Sequence, residues 1–189
     1  MRVVLSMRRV TSGFSLVMVW MGGLAGPAPI IASIASAQTM PLSQTSQMLR
    51  EDEKNVGDAR FTDPDYKPGI VRHMVMFRFT PCVTQGERDV VTKRFVALAR
   101  LSRRPDGHAV VASIESGSQI SGENADLGLE QGYLVTFRSQ GDRNFYVGQP
   151  IVTDSHYFDG AHDAFKTFAA PYLERVAVFD FAVQTRSQL

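Results

Sequence analysis

Ile70-Val71-Arg72-His73-Met74-Val75-Met76-Phe77-Arg78-Phe79 is the stretch that decides the fold. Val71, His73, Val75, Phe77 and Phe79 alternate with Arg72, Met74, Met76, Arg78 and Thr80. Successive side chains of a strand point to opposite faces, so a period of two predicts a β-strand with two distinct surfaces. Both surfaces carry apolar groups. One can pack on helices while the other packs on a second sheet, which points to association.

Working outward from this strand, Thr84-Gln85-Gly86-Glu87 fits a capping box at a helix start. Val91, Phe95, Leu98 and Leu101 follow at helical spacing, and the helix is expected to end near Ser102, before the turn signal Pro105-Asp106-Gly107. Strands are expected from Ala109 to Ser116 and from Tyr133 to Arg138, joined by a polar, glycine-containing connection. A short helix from Asp142 to Val147 and an irregular insert from Gly148 to Gly160 come next. A helix from Ala161 to Leu173, which Pro171 should kink, leads to a last strand from Arg175 to Val183. The order β-α-β-β-α-β is the split βαβ, ferredoxin-like arrangement of the α+β class: a four-stranded antiparallel sheet with both helices on one face. The open face predicts a homodimer that packs sheet on sheet.

Upstream, the first 37 residues read as a secretory signal: Arg2, Arg8 and Arg9, an apolar stretch from Phe14 to Leu24, and the small-residue end Ala35-Ser36-Ala37. Gly22, Gly23, Gly26, Pro27 and Pro29 interrupt the apolar run. It is therefore shorter than the roughly 20 residues a spanning helix needs. The expectation is export to the periplasm or medium, with no stable membrane insertion once the signal is cleaved; an uncleaved anchor is the alternative. Residues 38 to 69 are polar and lack apolar periodicity, so they read as a flexible linker. Residues 70 to 185 make the folded domain.

Formal net charge is +1, and without the three leader arginines it becomes −2. Nucleic-acid binding normally requires a basic stripe, and this near-neutral chain has only the short cluster Arg100 to Arg104, which reads as a solvated helix end. The single cysteine, Cys82, can form no internal disulfide, and no glycine-rich nucleophile motif surrounds it.

The strand at 70 to 79 resembles the opening strand of the stress-responsive A/B barrel (Dabb) family, with its first-strand histidine. Gly132-Tyr133-Leu134-Val135-Thr136-Phe137 resembles the family's third strand, and Gly160-Ala161-His162-Asp163-Ala164-Phe165 resembles its Pro-Ala-His helix start. Pro171-Tyr172-Leu173-Glu174 through Val178-Phe179-Asp180-Phe181 resembles its closing segment. The resemblance implies a ferredoxin-like protomer that dimerises into an α/β barrel with a cleft between helices and sheet. It also implies a likeness in fold to the plant polyketide cyclase acting on olivetolic acid precursors, which uses a histidine and a tyrosine.

Carried over on that resemblance, the candidate catalytic residues are His162, His73 and a tyrosine. Gly160 stands where the family motif has proline. Tyr146 matches the tyrosine by helix context, whereas Tyr157 is nearer in sequence but sits in the insert. A neutral imidazole suits proton removal beside a carbonyl, and a tyrosine hydroxyl suits stabilisation of the resulting enolate. The alternative is that His162 caps a helix and His73 bonds within the sheet. As a residue at a helix start, His162 is expected to be partly exposed and to contribute little to stability. Asp154, His156, Asp159, His162 and Asp163 match no tight metal motif and read as a solvated acidic loop. No metal and no cofactor is expected, because neither a phosphate-binding glycine loop nor a haem-attachment motif is present. Two functions follow as expectations: an exported binder of a small apolar or polyketide-like molecule with cyclase-like acid/base chemistry, or a non-catalytic, stress-protective homo-oligomer.

The leader makes a direct prediction. Mass spectrometry of the exported protein should give a chain beginning at Gln38; full-length chain in the membrane fraction would mean an anchor instead.

Overall fold

The computed structural model describes residues 41–184; the expected signal at 1–37 lies outside the described residues. Two helices come first, α1 (Gln44–Val56) and α2 (Asp58–Phe61). Then follow β1 (Pro68–Phe79), α3 (Gln85–Leu101), β2 (Ser113–Ser118), β3 (Gln131–Ser139), α4 (Gln140–Val147), α5 (Gly160–Ala169) and β4 (Leu173–Ala182). Short 3-10 turns occupy Ser155–Tyr157 and Ala170–Tyr172. The sheet order is β2-β3-β1-β4, with every neighbouring pair antiparallel. This is the ferredoxin-like α+β arrangement read from the sequence.

The alternation in β1 sorts its side chains as expected. Val71, His73, Val75, Phe77 and Phe79 are buried, while the residues between them are half-buried. The buried row meets Val91, Phe95 and Leu98 of α3, Phe145 and Tyr146 of α4, and Phe165 and Ala169 of α5 in one apolar core. Thr84 and Glu87 form the reciprocal capping box that the sequence signals. α5 stops at Ala169, two residues ahead of Pro171, because proline cannot supply the amide that the next helical turn requires. Glu130 reaches across from the β2–β3 connection to accept the Phe79 amide at 2.8 Å and the Arg88 guanidinium at 2.6 Å.

Two expectations need correction. The flexible linker is not what the structure shows where it is described: residues 44–56 and 58–61 are helical. Phe61, 1% exposed, and Tyr66 are buried against Val152 of the insert, with Leu49, Ile151, Tyr157 and Phe158 around them. Polar contacts do much of the remaining work. Arg50 donates to the Pro150 carbonyl at 3.1 Å, Asn144 donates to the Phe61 carbonyl at 2.7 Å, and Lys67 and Tyr66 both donate to Asp52. A segment with so few apolar residues shows no periodicity; its partner is an insert about a hundred positions downstream, so local pattern could not reveal the packing. The second correction concerns Arg104, read as part of a solvated cluster. It is largely buried, pairs with Asp142 at 2.8 Å, donates to the Thr62 carbonyl at 2.8 Å and lies over the Phe145 ring.

β3 runs into α4 with no intervening loop, and the arm completes the junction. The first amides of a helix have no intrahelical acceptor. Here Gln140 donates to the Lys67 carbonyl, Gly141 to the Tyr66 carbonyl, and Asp142 to the Ser139 hydroxyl. A Cβ on Gly141 would lie 1.7 Å from the backbone oxygen of Asp63. Gly141→Ala should therefore push the arm off, costing about 1–3 kcal/mol as overpacking does. Limited proteolysis checks this: cleavage within residues 41–67 should accelerate while the 70–184 fragment stays resistant.

Candidate functional site

A cleft of about 430 Å³ opens between the inner face of the sheet and α5. Its walls are mostly apolar, with Val75, Phe77, Phe95, Phe165, Val176 and Val178 among them. Because β4 is the edge strand, Val176 and Val178 remain exposed on the cleft side rather than covered by a helix. Two imidazoles interrupt this apolar lining, His73 from β1 and His162 from α5, and Gln149, Lys166, Glu174 and Arg175 also border the cleft. A larger hollow of about 520 Å³ lies on the other side of the sheet, beneath the β2–β3 connection beside Met76 and Ala177, and has no imidazole.

Each imidazole is fixed through its Nδ1. His73 Nδ1 is 2.6 Å from Asp180 Oδ1, its register partner across the β1–β4 pair. His162 Nδ1 is 2.7 Å from the Tyr146 carbonyl oxygen. A carbonyl only accepts, so His162 Nδ1 must carry the hydrogen and Nε2 the lone pair. Asp180, an ionised acceptor, likewise draws a hydrogen onto His73 Nδ1. Both rings thus have Nε2 available to a molecule in the cleft.

His162 is buried, 8% exposed, at the start of α5. Burial pushes its pKa down to about 3; the hydrogen bond to the Tyr146 carbonyl opposes this, while the charges of Lys166 and His73 add to it. It is neutral at ordinary pH, and more effective as a hydrogen-bond acceptor than as a proton store. The expectation of a partly exposed residue of little structural weight is corrected: His162 also stacks on Tyr146, ring centroids 3.9 Å apart at 15°.

Tyr146 stands between the histidines, with the His73 ring edge-on at 5.8 Å. Its hydroxyl is buried, has no hydrogen-bond partner among the described residues, and Tyr146 does not line the cleft. Burial, and then the Asp159 carboxylate, raise its pKa above the usual phenol range. Tyr146 therefore contributes its ring and its backbone carbonyl to the site. Tyr157 lies apart, against the small core between arm and insert.

Sequence reading missed two members of this region, Asp180 and Arg143, and placed a third, the buried Asp159, in a solvated loop. Asp180 continues the inward row Val176, Val178 of β4, so the alternation alone could have flagged it as a carboxylate among apolar neighbours. Arg143 places Nη1 3.5 Å from Asp180 Oδ2. Asp159 is buried, caps α5 through the Ala161 amide at 2.9 Å, and has its pKa raised by burial. Of the acidic loop, Asp154 and His156 pair with each other at the surface, 2.8 Å apart. Among the described residues no three His, Cys, Asp or Glu side chains converge as a metal site.

The buried neutral imidazole sets a pH dependence. The pKa of His162 is lower in the folded chain, about 3, than its ordinary 6.5. Between those values the unfolded chain binds the extra proton. Its contribution to stability is thus complete above pH 6.5 and falls by up to about 1.4 kcal/mol per pH unit as pH drops toward 3. Denaturant unfolding of His162→Phe, which retains a stacking ring, should show a flatter profile than wild type from pH 6.5 to 4.

The profile of the Stress responsive A/B Barrel Domain matches residues 71–183, more than half of the chain. No functionally curated protein matches it. Among solved structures, an Arabidopsis thaliana protein is 22% identical with a TM-score of 0.50, covering 62% of this chain and 99% of its own. The hydroxynitrile lyase of Passiflora edulis is 19% identical with a TM-score of 0.49, covering 64% and 99%. A Dabb family protein of ferredoxin-like fold from Mesorhizobium loti is 20% identical with a TM-score of 0.41, covering 62% and 99%. At these identities the likeness is one of fold. With the strand order, the first-strand histidine and the histidine at the start of α5 in place, the chain belongs to the stress-responsive A/B barrel (Dabb) family.

Proposed function

We propose that this protein is exported to the periplasm or medium and, as a homodimer, binds a small, mainly apolar molecule bearing a carbonyl or hydroxyl group. The observation that carries this reading is the pair of imidazoles whose Nδ1 atoms are held by Asp180 and Tyr146 while the rings line an apolar cleft of about 430 Å³. A cleft of that size, mostly apolar with polar groups placed within it, is the usual form of a small-molecule site. The two histidines divide the chemistry. His162, held neutral, accepts a hydrogen bond from the ligand. His73, its Nδ1 held by Asp180, takes the proton of an acidic C–H or O–H at Nε2, and the carboxylate beside it offsets the charge that forms. Such chemistry needs no cofactor.

Isothermal titration with phenols and short-chain 1,3-diketones tests this reading. Wild type should bind at least one of them, and His73→Ala and His162→Phe should each weaken binding about tenfold, the worth of one lost hydrogen bond near 1.4 kcal/mol. Binding unaffected by either substitution, or none at all, would leave the non-catalytic protective oligomer as the better reading.

The dimer is proposed from the outer sheet face. Phe179 and Phe181, 60% and 41% exposed, stand beside half-buried Met74, Met76 and Leu134, a contiguous apolar surface on the side away from the helices. Light scattering at micromolar concentration should give twice the protomer mass for wild type and the protomer mass for Phe179→Asp.

A further inference from the structure

Arg143, like Arg104, is a largely buried cation among the described residues. It sits on α4, one turn before Tyr146, and its side chain is only 12% exposed. Nη1 lies 3.5 Å from Asp180 Oδ2, while Nε is buried with no hydrogen-bond partner among the described residues. Leu49 and Phe61, from the arm that precedes the family-matched region 71–183, border the same small hollow as Arg143. An orphaned, buried donor is costly, so the packing holds this guanidinium in place against its own solvation. Arginine keeps its charge even there.

The geometry points to Arg143 as a positioning residue: by holding Asp180 Oδ2 it fixes Oδ1 on His73 Nδ1, and so keeps His73 Nε2 an acceptor facing the cleft. Among the described residues the two carboxylate oxygens have one side-chain partner each. Arg143, Asp180 and a neutral His73 sum to zero charge. Without the guanidinium the trio would carry −1, and a proton on His73 relieves that charge. That proton occupies Nε2 and removes the acceptor. Asp180 would also be free to turn, releasing the tautomer. The other titratable groups around the ring are Tyr146 of α4 and His162 and Lys166 of α5, with Glu174 and Arg175 of β4 further along the cleft. None of these is placed to replace the cation at Oδ2.

The consequence for ligands rests on the function proposed above, but the test does not need a ligand. Long-range ¹H–¹⁵N spectra of histidine-labelled protein at pH 7 report the hydrogen on each ring nitrogen. Wild type and Arg143→Lys should show His73 as a single tautomer, Nδ1 protonated and Nε2 bare. Arg143→Met should lose that signature, with both nitrogens protonated or the tautomers averaged, while the His162 pattern is unchanged. Arg143→Gln, neutral but polar, should behave as Met does and stands in for it if the apolar side chain prevents folding. A lowered melting temperature with an unaltered His73 pattern in the neutral variants would make Arg143 merely structural and overturn the proposal. So would a wild-type His73 carrying its hydrogen on Nε2. The expected spectra without any ligand binding would remove the proposed function and leave the role of Arg143 standing.

Discussion

Burial of one polar side chain, His73, in the inward row of the central strand constrains the rest of the molecule. An imidazole among Val71, Val75 and Phe77 must have its polar atoms met, because an unpaired buried group costs a substantial share of a small domain's stability. The antiparallel register meets it from β4 by placing Asp180 directly opposite. That solution imports a carboxylate into the same layer. Arg143 of α4 then answers the carboxylate, and the arm helps to enclose Arg143. One polar position in a strand thus links the sheet edge, a helix and a segment outside the family domain.

The same reasoning explains why α4 matters more than its eight residues suggest. It offers Phe145 and Tyr146 to the core, the Tyr146 carbonyl to His162, Asp142 to Arg104 and Asn144 to the arm. Its first amides are met by the arm's carbonyls and by Ser139. Several elements share this network, so displacement of one propagates to the others. The arm is therefore a structural support of the site's far wall.

The fold was largely legible in the sequence because it rests on periodicity. Period two in β1, period 3.6 in α3 and the Thr84–Glu87 box each act over a few residues, and each appears in the structure near its expected place, whereas the helix expected to run through a kink at Pro171 to Leu173 ends at Ala169. β2 was less legible. Val110 and Val111 are buried but precede the strand, which starts at Ser113, so apolar character there marked the core and not the ladder. His73 and His162 could be singled out from motif context, and Tyr146 could be preferred over Tyr157 by its helix, but the direction of its hydroxyl could not be read.

What the sequence by itself determined is whatever depends on neighbours in the chain: the order of elements, the two faces of β1, the helix caps, and the presence of histidines at a first strand and a helix start. What only the tertiary structure decided depends on residues far apart in sequence. Asp180 meets His73 across 107 positions, His162 takes a carbonyl from α4, Arg104 turns inward to Asp142, and the arm packs on an insert that lies beyond three strands. Such pairings answer the desolvation of buried polar groups, and desolvation is known only once the chain has closed around them.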